Sequence, residues 1–192
     1  MFGSAGDYFL SRYLTLQSVP ASAPVIINLD PAQVAERLTS GEIDAGMTWE
    51  PFAHIAELAL QGNAQRLPDQ IDQAFQFLLL AKRSWMDENK EQLSRFLSAL
   101  LKAETLASDN PAKAKELIRK RFKYSRDYVD YIWPLHNLHI SLPQGLLFIM
   151  ERQAEWQIRR GLTNAKTVPV YLDFIDTAPL AGLRPSSVGI VK

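Results

Sequence analysis

The chain predicts an α/β fold, with parallel strands and helices alternating up to about residue 70 and a mostly helical remainder. Three observations carry this expectation. Residues 25–29 (Val-Ile-Ile-Asn-Leu), 43–48 and 75–81 are strand-length apolar runs. Pro31 and Pro51 follow the first two runs and suit the first turn of a helix, where the missing N–H is no loss. The resulting order of helix, strand, helix, strand, helix is the rhythm of a parallel sheet covered by helices.

From Asp7 to about Leu16, Tyr8, Phe9, Leu10, Tyr13, Leu14 and Leu16 approximate one broad helical face. Residues 18–24 are a Pro/Ser-rich turn into the β-branched run at 25–29. Asp30 is placed to cap a helix that starts at Pro31, runs to about Leu38 and stops at Ser40-Gly41. The 43–48 run follows, then a helix from Pro51 to about Gln61, ended by Gly62-Asn63. Residues 64–72 are polar and read as a crossover between lobes. After the 75–81 run the pattern becomes helical. A helix at 87–107 carries Phe96, Leu97, Leu100 and Leu101 as its core stripe, and Asp109-Asn110-Pro111 starts another to Phe122. A short helix is expected at 126–133, stopped by Pro134. Ser141-Leu142-Pro143-Gln144 has the pattern of a capping box opening a long helix to Arg160, with Gly161 ending it. The tail holds a turn near Tyr171 to Ile175 and a last apolar segment at 188–191.

Composition narrows the function classes. The 192 residues are 47% hydrophobic and 22% charged, as in ordinary globular proteins. Twenty-one basic and 21 acidic residues cancel, so no overall field recruits nucleic acid or an anionic membrane. A small molecule or a protein is the expected partner. With no cysteine, disulfides, thiolate metal sites and a cysteine nucleophile are excluded. The longest mostly apolar run, 75–81, is far short of the roughly 20 residues that span a bilayer. Residues 1–7 have neither the basic start nor the apolar core of a signal peptide.

Two places could hold a ligand. Gly3-Ser4-Ala5-Gly6 leads into a helix, where backbone N–H groups and the positive helix end favour an anion, and Ser4 adds a hydroxyl. An ordinary capped turn reads the same way. Trp49-Glu50 follows the 43–48 run, at the edge where open parallel sheets bind ligands. A packed Trp beside a surface Glu fits that spacing equally well. His136 and His139 stand three residues apart, close to ligand spacing, but Pro134 and Pro143 bracket them and no third ligand is evident. Lys113, Lys115, Arg119, Lys120, Arg121 and Lys123 read as a solvated face, since Glu116 is mixed in and no aromatic residues interleave. Tyr124, Tyr128, Tyr131 and Trp133 read as core packing. No catalytic set assembles, because a single cleft carboxylate argues for recognition over acid/base chemistry.

Taken in order, residues 3–10 (Gly-Ser-Ala-Gly-Asp-Tyr-Phe-Leu), 38–52 with Gly41-Glu42-Ile43-Asp44-Ala45 and Trp49-Glu50-Pro51, 89–111, Trp133-Pro134, 168–175 and 183–188 resemble the periplasmic solute-binding proteins of ABC importers for nitrate, sulfonates, taurine and thiamine precursors. The resemblance implies a type II periplasmic binding fold of two α/β lobes with parallel or mixed sheets, residues 1–70 forming lobe two and 71–192 the returning part of an incomplete lobe one. It implies a non-enzymatic binding role for a small anionic or zwitterionic solute, a periplasmic location and a membrane permease as partner. Ser4, Ala5, Gly6, Trp49 and Glu50 become the ligand-binding residues, with no cofactor and no metal. An incomplete lobe also implies self-association. The alternatives are a relative of the pyrimidine synthases of thiamine biosynthesis, whose cysteine-rich motif is missing here, and a ligand-sensing domain.

Overall fold

A computed structural model describes residues 2–20, 22–67 and 75–191. Nine α-helices are found among them: α1 (Ala5–Leu16), α2 (Pro31–Ser40), α3 (Phe52–Leu60), α4 (Arg83–Glu88), α5 (Lys90–Asp109), α6 (Pro111–Phe122), α7 (Arg126–Ile132), α8 (Gly145–Arg159) and α9 (Ala178–Ala181). Short 3-10 turns occupy Trp133–Leu135, Tyr171–Phe174 and Pro185–Ser187.

The expected type II α/β fold with parallel or mixed sheets is overturned. Among the described residues there is no strand and no sheet, and one isolated parallel bridge, Leu142 to Val188, is the extent of β pairing. The runs at 25–29, 43–48 and 75–81 have the composition of strands but no ladder. A helix closes its hydrogen bonds within its own segment, whereas a strand exists only through a neighbour. Without one, Val25 is 90% exposed, Phe77 87% and Leu80 83%. Part of the expected 64–72 crossover, from residue 68 onward, lies outside the described residues.

The described chain divides into two compact units, Met1–Leu78 with Gln153–Thr167, and Leu79–Arg152 with Val168–Lys192. In the first unit α2 and α3 pack together, burying Val34, Ala35 and Ala56. Pro31 opens α2 behind Asp30, whose N–H donates to Gln33 Oε1 at 3.0 Å, and Gly41 closes it at φ 77°. Residues 43–48 lie as a strap against α2. A Cβ on Gly46 would come within 2.4 Å of Val34 Cγ1, so the backbone approaches a buried β-branched side chain where only glycine fits. Thr48 Oγ1 then donates to the Pro31 carbonyl at 3.2 Å. Tyr8 of α1 meets the buried Trp156 edge-on, at 5.5 Å between ring centroids.

In the second unit α5 packs against α4, α6 and α9, and α6 against α7. Leu93 and Leu97 of α5, Ala114 of α6, Tyr128 and Val129 of α7 and Leu180 of α9 are buried. Phe96, expected in the α5 core stripe, is instead 48% exposed. Adjacent helical positions differ by about 100°, so a stripe through Leu93 and Leu97 turns Phe96 toward solvent. The expected capping box does not open α8. Gln144 Oε1 accepts from the Val191 N–H at 3.0 Å and the helix starts at Gly145, while Leu142 exchanges backbone bonds with Ser187 and Gly189. Arg184 braces the tail: its guanidinium forks onto Glu104 at 2.8 and 2.7 Å and donates to the Ile140 carbonyl at 2.7 Å.

Candidate functional site

The first unit gathers the glycine turn and the Trp-Glu pair. Gly3, at φ 72°, turns the chain so that its N–H donates to Asp7 Oδ2 at 2.9 Å. Ser4 is the extended N-cap of α1, and its hydroxyl accepts the Asp7 N–H at 3.4 Å. Asp7 is buried and lies 3.9 Å from an Arg160 nitrogen. The acid in the first turn favours the helix dipole and is itself held by the turn it stabilises.

Gly6 joins this turn to the aromatic. A Cβ there would stand 3.6 Å from Ser4 Oγ, 3.7 Å from Met47 Cγ and 3.9 Å from the Trp49 ring. Ser4, Gly6 and Trp49, far apart in the chain, therefore border one patch at the opening of α1, of which Ala5 is the first helical residue. Trp49 is 47% exposed and Met47 36%, so this patch offers solvent an indole and a thioether beside the positive end of a helix. Met47 was not singled out from the sequence. It looked like one more apolar residue of a buried strand, and its exposure depends on the strand not forming.

Glu50 has a different setting. Its side chain is 17% exposed; Oε2 accepts the His54 N–H at 3.3 Å and Oε1 accepts from Arg66 Nη2 at 3.1 Å. Arg66 also pairs with Glu57 at 2.8 Å. The carboxylate is thus directed at the first turn of α3 and at a guanidinium, where it satisfies an orphan helix N–H.

The other sequence candidates lie in the second unit. His136 and His139 border an open cavity with Glu104 of α5. Among the described residues no group of three or more histidines and carboxylates could hold a metal ion. Within the basic run Lys115 pairs with Asp130 at 2.7 Å, and Arg119 and Lys120 with Glu116 at 2.7 and 3.3 Å. Hydrogen bonding from Arg119 holds the Glu116 carboxyl down at about 2. Tyr124 and Tyr128 meet edge-on at 4.9 Å, and Tyr128 is buried.

Residues 2–120 match the model of the NMT1-like family. Proteins of Brucella abortus (strain 2308), Brucella suis biovar 1 (strain 1330) and Brucella melitensis biotype 1, each carrying the provisional description of a binding protein, are 25% identical over 130 residues. The matched region is 65% of this chain and 40% of each relative, so the match spans well under half of the relatives' length. No solved structure matches. Both the family and the names of these relatives point to a binding protein rather than an enzyme.

Proposed function

Since the chain belongs to the NMT1-like family, a family of the periplasmic binding-protein type, we propose that it serves as the solute-binding component of an ABC importer, taking a small anionic or zwitterionic organic solute such as a sulfonate. The observation that carries this reading is the approach of Gly6 to Trp49. An anionic head at the first turn of α1 meets the helix dipole and the N–H groups of that turn other than those of Gly3 and Asp7, which the Asp7 carboxylate and the Ser4 hydroxyl take, while the solute body lies on Trp49 and Met47. The bare Cα of Gly6 leaves that approach open. Glu50 supports the wall by fixing the start of α3 and engages a solute only if Arg66 gives up its ion pair.

The setting is extracytoplasmic, with a membrane permease as partner, as the family type suggests. Among the described residues no helix is long and apolar enough to cross a membrane. Exposed apolar runs around Val25 and Phe77 make self-association the expected behaviour at high concentration. Light scattering checks it, and a compact monomer throughout the concentration range contradicts it.

Isothermal calorimetry with taurine, longer alkanesulfonates and nitrate tests the binding role. Binding of at least one of these, weakened about tenfold or more by Trp49→Ala, is the expected result, tenfold corresponding to about 1.4 kcal/mol. No heat with any of them, or affinity indifferent to Trp49→Ala, rejects this site.

A further inference from the structure

An open cavity of about 290 Å³ lies wholly within the second unit, bordered by Glu104, Ala107 and Ser108 of α5 and by Trp133, His136, Leu138 and His139 of the segment after α7. Its volume is close to the lower end for small-molecule sites, roughly 300 Å³. The histidine-bearing border falls beyond residues 2–120, the part of the chain that carries the family match. The cavity shares no residue with the Trp49 patch and does not depend on the solute reading given to that patch.

Hydrogen bonding sets the form of both imidazoles. His136 Nδ1 is 2.8 Å from the Ile132 carbonyl oxygen, and His139 Nδ1 is 2.9 Å from Glu104 Oε1. A carbonyl oxygen can only accept, so His136 Nδ1 carries the proton. The Glu104 carboxyl is held down at about 2, chiefly by the Arg184 guanidinium, so at neutral pH it also only accepts. A neutral imidazole protonated at Nδ1 leaves Nε2 as a lone-pair acceptor. The cavity is therefore bordered by two exposed rings, each leaving an acceptor nitrogen that water or a ligand donor can fill.

The charges nearby are already matched. Both Glu104 oxygens take the Arg184 fork, and Ile140 N–H donates to the same carboxylate at 2.9 Å. The Lys115 ammonium, 5.6 Å from the Trp133 ring centroid, is paired with Asp130. Little net field favours an ion, while Trp133, Leu138 and Ala107 supply apolar surface and Ser108 a hydroxyl. We propose that this cavity binds a small, uncharged, planar nitrogen heterocycle of the aminopurine class, whose N–H groups donate to His136 and His139 Nε2 and whose ring lies against Trp133. Ser108 can donate to a ring nitrogen of the same molecule.

Calorimetry with adenine at pH 7.5 tests the proposal, with 9-methylpurine as a planar ligand of similar size that has no N–H donor. Adenine is expected to bind, the methylated purine to bind at least tenfold more weakly, and His136→Phe and His139→Phe each to weaken adenine at least tenfold. Trp49→Ala is expected to leave adenine binding unchanged, which separates this site from the sulfonate site. The methylated purine needs no variant, so the comparison stands even where a histidine substitution harms folding. Absence of adenine binding, equal binding of the two purines, or undiminished affinity in both histidine variants overturns the proposal. Titration with Zn²⁺ gives a further contrary outcome: tight uptake lost in both histidine variants, with no adenine bound by the metal-free protein, would assign the two lone pairs to a metal instead.

Discussion

The second unit holds Leu93, Leu97, Tyr128 and Val129 between helices, while the first unit leaves a β-branched run at residues 25–27 in solvent. What differs is how each backbone closes its hydrogen bonds: α5 and α6 do so internally and need neighbours only for their apolar stripe, whereas a strand needs a second strand before it exists at all. The first unit exposes such a run, and Met47 and Trp49 add an exposed thioether and indole beside the opening of α1. Exposed aromatic surface near a helix N-terminus is where a solute can be held.

The contrast can be broken by substitution. Leu97→Ala is expected to cost about 2–5 kcal/mol in urea unfolding, because it empties a packed site, whereas Val25→Ala changes stability by no more than about 0.5 kcal/mol. Similar costs at the two positions would show that residues 25–27 pack after all. Next in size is Gly46→Ala, for which the collision with Val34 Cγ1 predicts a loss of roughly 1–3 kcal/mol. Gly6→Ala is the control, since its Cβ meets neighbours at ordinary contact distances of 3.6–3.9 Å. Ser4→Ala removes the α1 cap and is expected to cost about 1 kcal/mol.

The second unit carries an acid-sensitive ion pair. Glu104 has its folded pKa lowered from 4.5 to about 2, first by hydrogen bonding to Arg184. A carboxylate depressed in the folded state contributes stability that is fully present above its unfolded value and disappears as pH falls through the folded one. The Arg184–Glu104 contribution is therefore intact at pH 6 and lost progressively between about 4.5 and 2. Melting followed by circular dichroism across that interval should show a steeper fall for the native chain than for Glu104→Gln; parallel curves would assign the acid sensitivity elsewhere.

Helices were legible because their signals are local. Asp30-Pro31 and Gly41 bracket α2, and Asn110-Pro111 opens α6 at the residue expected, with the Asn110 side chain accepting the Lys113 N–H at 3.1 Å. Strand composition was legible too, but partnership is not written within a five-residue run, and the expected sheet failed for that reason. Phe96 illustrates a smaller version of the same limit, since its apolarity was visible and its angular position relative to the true stripe was not. In the candidate site, the proximity of Ser4 and Gly6 to Trp49 followed from neither residue's neighbours in sequence. It depends on the 43–48 strap, whose close approach to α2 is set by Gly46. The Arg66 partner of Glu50 was equally invisible, lying 16 residues away across the α3 segment.

Amide hydrogen exchange read by mass spectrometry probes the contrast between self-sufficient helices and partnerless runs most directly. Slow exchange is predicted across the middle of α5 and α6, and fast exchange at residues 25–28 and 75–80, where no β bridge ties the backbone to a neighbour. Protection of 25–28 and 75–80 equal to that of α5 would contradict the account, because it would require a hydrogen-bonded partner for each run.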